Sequence, residues 1–522
     1  MRSWECVPGV IRDDGVDSFR LEVDANGVVG QVSLSLAAGS LAFVTGTNSQ
    51  NLHDDGLNGD RIAGDRIFTS ERIRYNGSSP FGGNLYGDPL SPAGILFESL
   101  GDLSVVETNG VTNRFLIGPT VGLLSTAVPL AESHQLGSNV LISPYLVNVS
   151  TVFTNGRQTQ KAIRAGSMSS MNGVTSPVYS ILPDAFDFFI FFSMDHVESV
   201  PFSGSSGNFV AGAHLAAQVK YTGTGLATNN NQSGYFGSSG RLLGLNILDT
   251  ATHGISDGIC THELLHQWVS FTSGSLGLNF DGSHYSAACS ANSLVGGTHW
   301  TPGSNGTFIT DCDEHAFGQA QAPPLDKYMM GLIPGSSVPP LYVASDVTGC
   351  NVIVTNYRTV TIADIQALHG VRTPTPPNAQ KNFSLCFVAE SFNRALTPAE
   401  MTFYDILAAQ YTKPVPAGEP SPRLQGSWRT IDRYFGEGSQ WSTEVLGVIR
   451  PNLRQVEKLG DGTVRITGAG WPGRSYRLLT ATNQLTNWVS ATNQFASPDG
   501  TLIFDIPFIP LSTPRFFRLA TP

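Results

Sequence analysis

Apolar and polar residues alternate with period two early in the chain, as in Gly30-Gln31-Val32-Ser33-Leu34-Ser35-Leu36, the pattern of a strand with one buried face. The alternation leads into a Gly/Asp-rich stretch from Asp54 to Asp65 that suits tight turns, and it predicts a β-sandwich over residues 1–112. Tyr75 to about Asn113, rich in Gly, Pro and Ser, reads as a linker or irregular connection. From Phe115 the texture changes to dense apolar runs at 139–143, 145–149 and 186–192, which predict buried strands. A glycine-rich turn at 235–242 then opens a further strand over Leu243–Leu248. Helical spacing appears where Ile259, Cys260, Leu264, Leu265, Trp268 and Val269 form one broad apolar surface, as on a helix packed into a domain interior. It returns at Thr397-Pro398-Ala399-Glu400, which has the spacing of a capping box with proline at the first helical position and predicts an amphipathic helix to about Tyr411. Short strands separated by turn residues, at 463–467, 475–479, 502–505 and 515–519, predict a second β-sandwich over 446–522.

Composition sharpens this picture. A chain of 522 residues is too long for one core, and 14 % charged residues with 56 Gly and 31 Pro favour strands and turns over long helices. The expectation is a β-rich protein with an α+β central domain over 113–445 between two all-β modules. A net charge of −11 leaves no basic stripe to displace counterions, which argues against nucleic acid as a partner. No apolar run approaches the roughly 18 residues of a membrane span, so none is expected. Met1-Arg2-Ser3-Trp4-Glu5-Cys6 shows no charged segment followed by an apolar one, so no signal peptide is read in this chain. The six cysteines, at 6, 260, 289, 312, 350 and 386, include no C-x-x-C pair. Scattered disulfides, with Cys289–Cys312 and Cys350–Cys386 as couples, stand beside buried free thiols as the two readings.

The candidate chemistry sits at His262-Glu263-Leu264-Leu265-His266. On a helix, positions i and i+4 share one face, so two imidazoles can reach one ion with Glu263 beside them. This is the arrangement of a zinc hydrolase, in which two neutral imidazoles and a third ligand hold Zn²⁺, a water fills the fourth position, and the glutamate takes that water's proton. The motif resembles that of the zincin metallopeptidases. A metzincin would continue with Gly at 269 and His at 272, where this chain has Val269 and Thr272. A thermolysin-like gluzincin would use a downstream E-x-x-x-D, but the first later glutamate is Glu314, with Gly318 where Asp is wanted.

The third ligand is therefore assigned first to His284, in the turn Asp281-Gly282-Ser283-His284-Tyr285, with Glu314, Asp281, His299 and His315 as alternatives. Tyr285, His315 and Tyr328 are the candidate donors to a developing oxyanion. Tyr328-Met329-Met330-Gly331 can form an apolar floor, and Cys260, two residues before His262, points away from the ion on a regular helix. The resemblance implies Zn²⁺ as cofactor, a protein or peptide as substrate, and a sheet-edge strand that aligns the substrate backbone.

Asp54-Asp55-Gly56-x-x-Gly59-Asp60-x-x-Ala63-Gly64-Asp65 resembles a signature of immunoglobulin-like modules in secreted bacterial proteins. The carboxylates of Asp54, Asp55, Asp60 and Asp65 offer oxygen ligands to Ca²⁺, while tight turns account for the same residues. Tyr476-Arg477-Leu478, Leu485-Thr486-Asn487-Trp488 and the terminal Arg515-Phe516-Phe517-Arg518-Leu519 resemble C-terminal modules of secreted bacterial proteins, which commonly contact surfaces or glycans. The resemblances imply a secreted or cell-surface bacterial protein. A zinc endopeptidase is one reading. A surface-adhesion or carbohydrate-binding protein with a degenerate metallopeptidase domain is the other.

Overall fold

The computed structural model describes residues 2–25, 29–37, 40–77, 94–115, 118–152, 158–165, 167–198, 212–226, 231–251, 259–279, 281–311, 321–345, 351–413, 430–436, 438–445, 451–470, 474–482, 487–497, 501–507 and 515–520. Strands dominate, distributed over eight sheets among the described residues.

The largest sheet has eight strands. Its path is His134–Leu136, Val140–Ile142, Leu146–Thr151, Asn382–Phe392, Phe188–Ser193, Gly244–Thr250 and Gly212–Ala216, with Gln440–Ser442 also paired to Asn382–Phe392. The four middle strands run parallel, and the edge strand Gly212–Ala216 is antiparallel to its neighbour. Parallel strands are covered on both faces, which explains why Phe188–Ser193 is buried at every position. Its side chains alternate between two cores: Phe188, Ile190 and Phe192 join the core that holds Leu264, Leu265 and Trp268, and Phe189 and Phe191 join Val174 and Val178 on the other face. The apolar runs at 139–143 and 145–149 thus appear as strands of this sheet. The central strand Asn382–Phe392 and the helices Gln158–Ala165 and Asn172–Ile181 had no counterpart in the sequence reading.

Helix Pro398–Tyr411 starts where the capping box places it, with Glu400 N donating to Thr397 Oγ1 and Thr397 N donating to Glu400 Oε2 at 2.7 Å. It is not amphipathic. Ten of its residues are buried, with Asp405 bonding Ser143 and Tyr145 and Glu400 facing the N-terminal module. There Gly9 N donates to Glu400 Oε1 at 2.7 Å, and Arg394 bridges Glu400 and Glu5 at 2.8 and 3.0 Å. Strand Arg2–Val7 pairs with Ser18–Asp24 on one side and with Asp195–Glu198 on the other. The N-terminal sheet therefore includes a strand from the middle of the chain, and Trp4 packs on the buried His196 with ring centroids 5.5 Å apart.

The linker read over Tyr75–Asn113 needs correction. Ile95–Ser99 and Gly101–Glu107 are strands, and Leu103 and Val105 fill the N-terminal core beside Val32 and Leu34. The alternation that buries them is too short to stand out among Gly, Pro and Ser. Thr120–Leu124 pairs with Val10–Arg12 and Ile95–Ser99, so this module's strands run past residue 112.

Near the C-terminus two three-stranded sheets contribute to one buried cluster, Ile466, Leu502 and Phe504 from one and Tyr476 and Leu478 from the other. Both expected disulfides are corrected: Cys289 and Cys386 are buried free thiols, as are Cys6 and Cys260, while Cys312 and Cys350 lie outside the described residues. No helix among the described residues is long and apolar enough to cross a membrane.

Candidate metal centre

The His-Glu motif lies on helix Ile259–Leu265, whose Cys260, Leu264 and Leu265 are fully buried under the large sheet. Beyond Leu265 the chain tightens. His266 N bonds to Glu263 O at 3.1 Å and Gln267 N to Leu264 O at 3.1 Å, three-residue closures that end the helix while keeping His266 over His262. Trp268 then packs edge-on against Phe188 at 5.5 Å and pins this end to the sheet. The turn after Asp281 returns His284 to the same point. The three ring centroids are 5.0, 5.3 and 4.9 Å apart, with His262 Nε2 at 3.2 Å from His284 Nε2 and 3.3 Å from His266 Nε2.

The donor set fits a metal ion. His262 Nδ1 lies 2.7 Å from the carbonyl oxygen of Leu294, which can only accept, so Nδ1 carries the proton and Nε2 keeps its lone pair. His284 Nδ1 lies 2.8 Å from Asp281 Oδ2, which fixes the same tautomer. Two lone pairs therefore face each other at 3.2 Å, a repulsive contact that a cation between them turns into coordination. Nitrogens about 2.0–2.1 Å from a tetrahedral Zn²⁺ stand about 3.3–3.4 Å apart, which matches both Nε2 separations. Burial, and then the neighbouring imidazoles, hold His262 down to about 4 and His266 down to about 2, so both rings are neutral ligands at neutral pH.

Asp281, an alternative ligand in the sequence reading, takes the outer position that orients His284. Although desolvation opposes it, N–H groups of Ser283 and His284 and the His284 ring hold Asp281 down to about 2. Leu294 is the equivalent partner of His262 and was not anticipated, because its contribution is a backbone carbonyl.

Glu263 is 9 % exposed, and desolvation pushes its carboxyl up to about 8 in the metal-free site. It lies against the edge strand at Gly212, whose missing side chain leaves it room. Two residues on, His214 ties that strand to the helix end: Nδ1 is 2.7 Å from Asn246 Oδ1 and Nε2 is 2.8 Å from Gln267 Oε1. The amide groups of these partners donate elsewhere, Asn246 to Cys260 O and Gln267 to Gln218 O. Edge strand, adjacent strand and the residue after His266 thus form one buried polar network. Nothing in the sequence marked His214, since its two partners, Asn246 and Gln267, come from two separate segments.

The proposed oxyanion donors are not brought in. Tyr328 OH accepts from Gln366 Nε2 at 3.0 Å and Arg372 N at 3.1 Å, a structural link away from the imidazoles. Tyr285 is 1 % exposed with its hydroxyl buried beside Asp326, and burial pushes it well above the usual phenol range. Both hydroxyls are thus turned into the protein interior, Tyr328 toward Gln366 and Arg372 and Tyr285 toward Asp326. Glu314 and His315 lie outside the described residues. His299 sits in strand His299–Pro302 and does not belong to the histidine group.

In the N-terminal turn, Asp54, Asp60 and Asp65 bring carboxylate oxygens within 4.8 Å of one another, and Asp55 is not part of the group. Turn amides already use these oxygens: Gly64 N donates to Asp54, Gly56 N to Asp60 and Ile67 N to Asp65. Comparison with protein-family models, curated proteins and solved structures finds no match.

Proposed function

We propose that this chain is a zincin-type zinc endopeptidase, with His262, His266 and His284 as metal ligands and Glu263 as general base. The observation that supports this reading is the convergence of three imidazole Nε2 atoms on one point beside a buried glutamate of the same helix as two of them. When bound there, Zn²⁺ supplies Lewis acidity and lowers the pKa of a coordinated water to about 7. Glu263, beside the histidine pair on the same helix, takes the proton of the attacking water at its carboxylate and delivers it to the departing amine. Leu294 O and Asp281 hold the Nδ1 protons of His262 and His284 and so keep both rings in register. The edge strand Gly212–Ala216, last in its sheet among the described residues, aligns an extended peptide by strand addition. A secreted or surface location in a bacterium rests on the resemblance of the flanking modules, and the four buried free thiols add nothing to it.

The test is cleavage of casein or a peptide library by metal-loaded protein. Activity abolished by a chelator, restored by zinc and lost in Glu263→Gln supports the peptidase. Zinc bound at one per chain with no cleavage replaces it with the adhesion or glycan-binding reading.

A further inference from the structure

Two of the ligand histidines come from segments 22 residues apart, and one short turn holds both. Residues 293–296 close on themselves, Ser293 N to Gly296 O at 2.9 Å and Gly296 N to Ser293 O at 3.1 Å. Positive φ at Asn292 (48°), Gly296 (112°) and Gly297 (84°) shapes the reversal. A side chain at Gly296 would stand 2.4 Å from Tyr285 O, so the turn lies directly on the His284 segment. Its successive carbonyls face opposite ways. Leu294 O takes the Nδ1 proton of His262 at 2.7 Å, and Val295 O takes the backbone N–H of Tyr285, the residue after His284, at 2.9 Å.

The turn is anchored from below by Asp326, which is 0 % exposed. Asp326 Oδ2 accepts from Ser293 Oγ and from Tyr434 OH, each at 2.6 Å. The Tyr434 hydroxyl accepts in turn from Leu294 N at 3.3 Å, and Ser293 Oγ accepts from Val295 N at 3.2 Å. The Ser293 hydroxyl and the N–H groups of Leu294 and Val295 are thus tied, directly or through one side chain, to a single carboxylate. The needs of its own helix do not explain it, because Pro324–Met330 has no side-chain cap and Asp326 bonds outward. The buried Tyr285 hydroxyl also interacts with Asp326, so the carboxylate borders the residue after His284 as well as the turn.

We propose that Asp326 is a positioning residue of the metal centre, acting through the 293–296 turn to set the distance between His262 and His284. The proposal rests on the metal-ligand reading given above. Outer partners of ligating histidines typically change metal affinity by about 10–100-fold when removed, and Asp326 reaches two ligands at once.

The experiment measures zinc affinity by chelator competition, well below the melting temperature, for the full chain and for Asp326→Asn, Tyr434→Phe and Asp405→Asn. Asp405 is a control, another buried carboxylate that bonds Ser143 and Tyr145 away from the histidines. The expected result is a zinc Kd weakened about 10–100-fold in Asp326→Asn, a smaller weakening in Tyr434→Phe, and no change in Asp405→Asn even where its melting point falls. Excess zinc should restore most of the kcat of Asp326→Asn. If Asp326→Asn does not fold, Tyr434→Phe and Ser293→Ala, which keep the carboxylate, carry the same comparison. Unchanged zinc Kd in the folded variants, beside a wild-type chain that binds one zinc, overturns the positioning role alone. A wild-type chain that binds no zinc overturns it together with the metal-centre reading.

Discussion

Gly212 lies against Glu263 with no room for a side chain: a Cβ at Gly212 would stand 2.8 Å from Glu263 Cγ, 3.0 Å from Ile259 Cγ2 and 3.2 Å from Glu263 Oε1. Gly212→Ala must therefore displace the general base or the edge strand. The expected outcome is kcat/KM lower by about 100-fold with zinc content unchanged, since a shift of about 1 Å at a reacting group costs that much. Glu263→Gln should lose about 10²–10⁴-fold while still binding zinc. Wild-type kinetics in Gly212→Ala would show that the contact has no catalytic consequence.

Metal stoichiometry tests the ligands one at a time. His284→Ala should leave purified protein with well under one zinc per chain, although His262 and His266 are intact. A ligand that binds only the folded chain stabilises it by about 4 kcal/mol at 1,000 times its Kd, so chelation should lower the melting temperature of the wild type and leave His284→Ala almost unmoved. One zinc per chain in His284→Ala would assign the third ligand elsewhere.

In the metal-free protein the combined contribution of His262, His266 and Glu263 to stability should peak near pH 6.5. Folded His262 titrates near 4 and His266 near 2, against about 6.5 when unfolded, so the unfolded chain binds more protons through that window and stability is lost as pH falls through it. Glu263 has the opposite sign: folded near 8 and 4.5 as its ordinary value, it binds its proton more tightly in the folded state, and stability is lost as pH rises between them. Among these three groups two imidazoles outweigh one carboxyl up to about pH 6.5, and above it Glu263 carries the decline toward pH 8, with Glu5, pushed by burial up to about 7, adding to it only at the lower end. Melting curves of chelated protein across pH 4–9 check this, and Glu263→Gln should remove the decline toward pH 8. A decline that persists in Glu263→Gln would rule out this residue as its source.

The N-terminal module should not be separable from the rest of the chain. Arg394 joins Glu5 to Glu400, and Glu400 is fully buried, so Arg394→Ala leaves a carboxylate without its cation. The expected cost is about 3–5 kcal/mol, read as a lower denaturation midpoint. Deletion of residues 1–112 also strips the Asp195–Glu198 strand of its partner and should yield insoluble protein. A soluble, active fragment lacking these residues would identify the module as dispensable.

Ca²⁺ at Asp54, Asp60 and Asp65 should be detectable by terbium luminescence that Asp60→Asn abolishes. Luminescence absent in the wild type would leave these carboxylates as turn acceptors only, the use already visible in their bonds to Gly64, Gly56 and Ile67.

Much of the architecture is local and was legible in the chain. The period-two alternation around Val32 and Leu34, the apolar run at Phe188–Ser193 and the capping box at Thr397 each report the environment of their own segment, because side-chain periodicity and caps act within a few residues. The pairing of His262 and His266 was legible for the same reason, being one helical turn. What joins distant segments was not. His284 was a choice among several residues until the turn placed its Nε2 at 3.2 Å from that of His262, and only the packing shows that the hydroxyls of Tyr285 and Tyr328 face Asp326 and the Gln366–Arg372 segment. Leu294, Gly212, His214 and Asp326 act through a carbonyl, an absent side chain and hydrogen bonds across tens to hundreds of residues. Such contacts are set by how sheet, helix and loop pack together, and no pattern along the chain encodes them. The sequence by itself determined several of the strands, the capped helix and the pairing of His262 with His266 on one helical turn, and the tertiary structure alone decided which side chains gather around that pair.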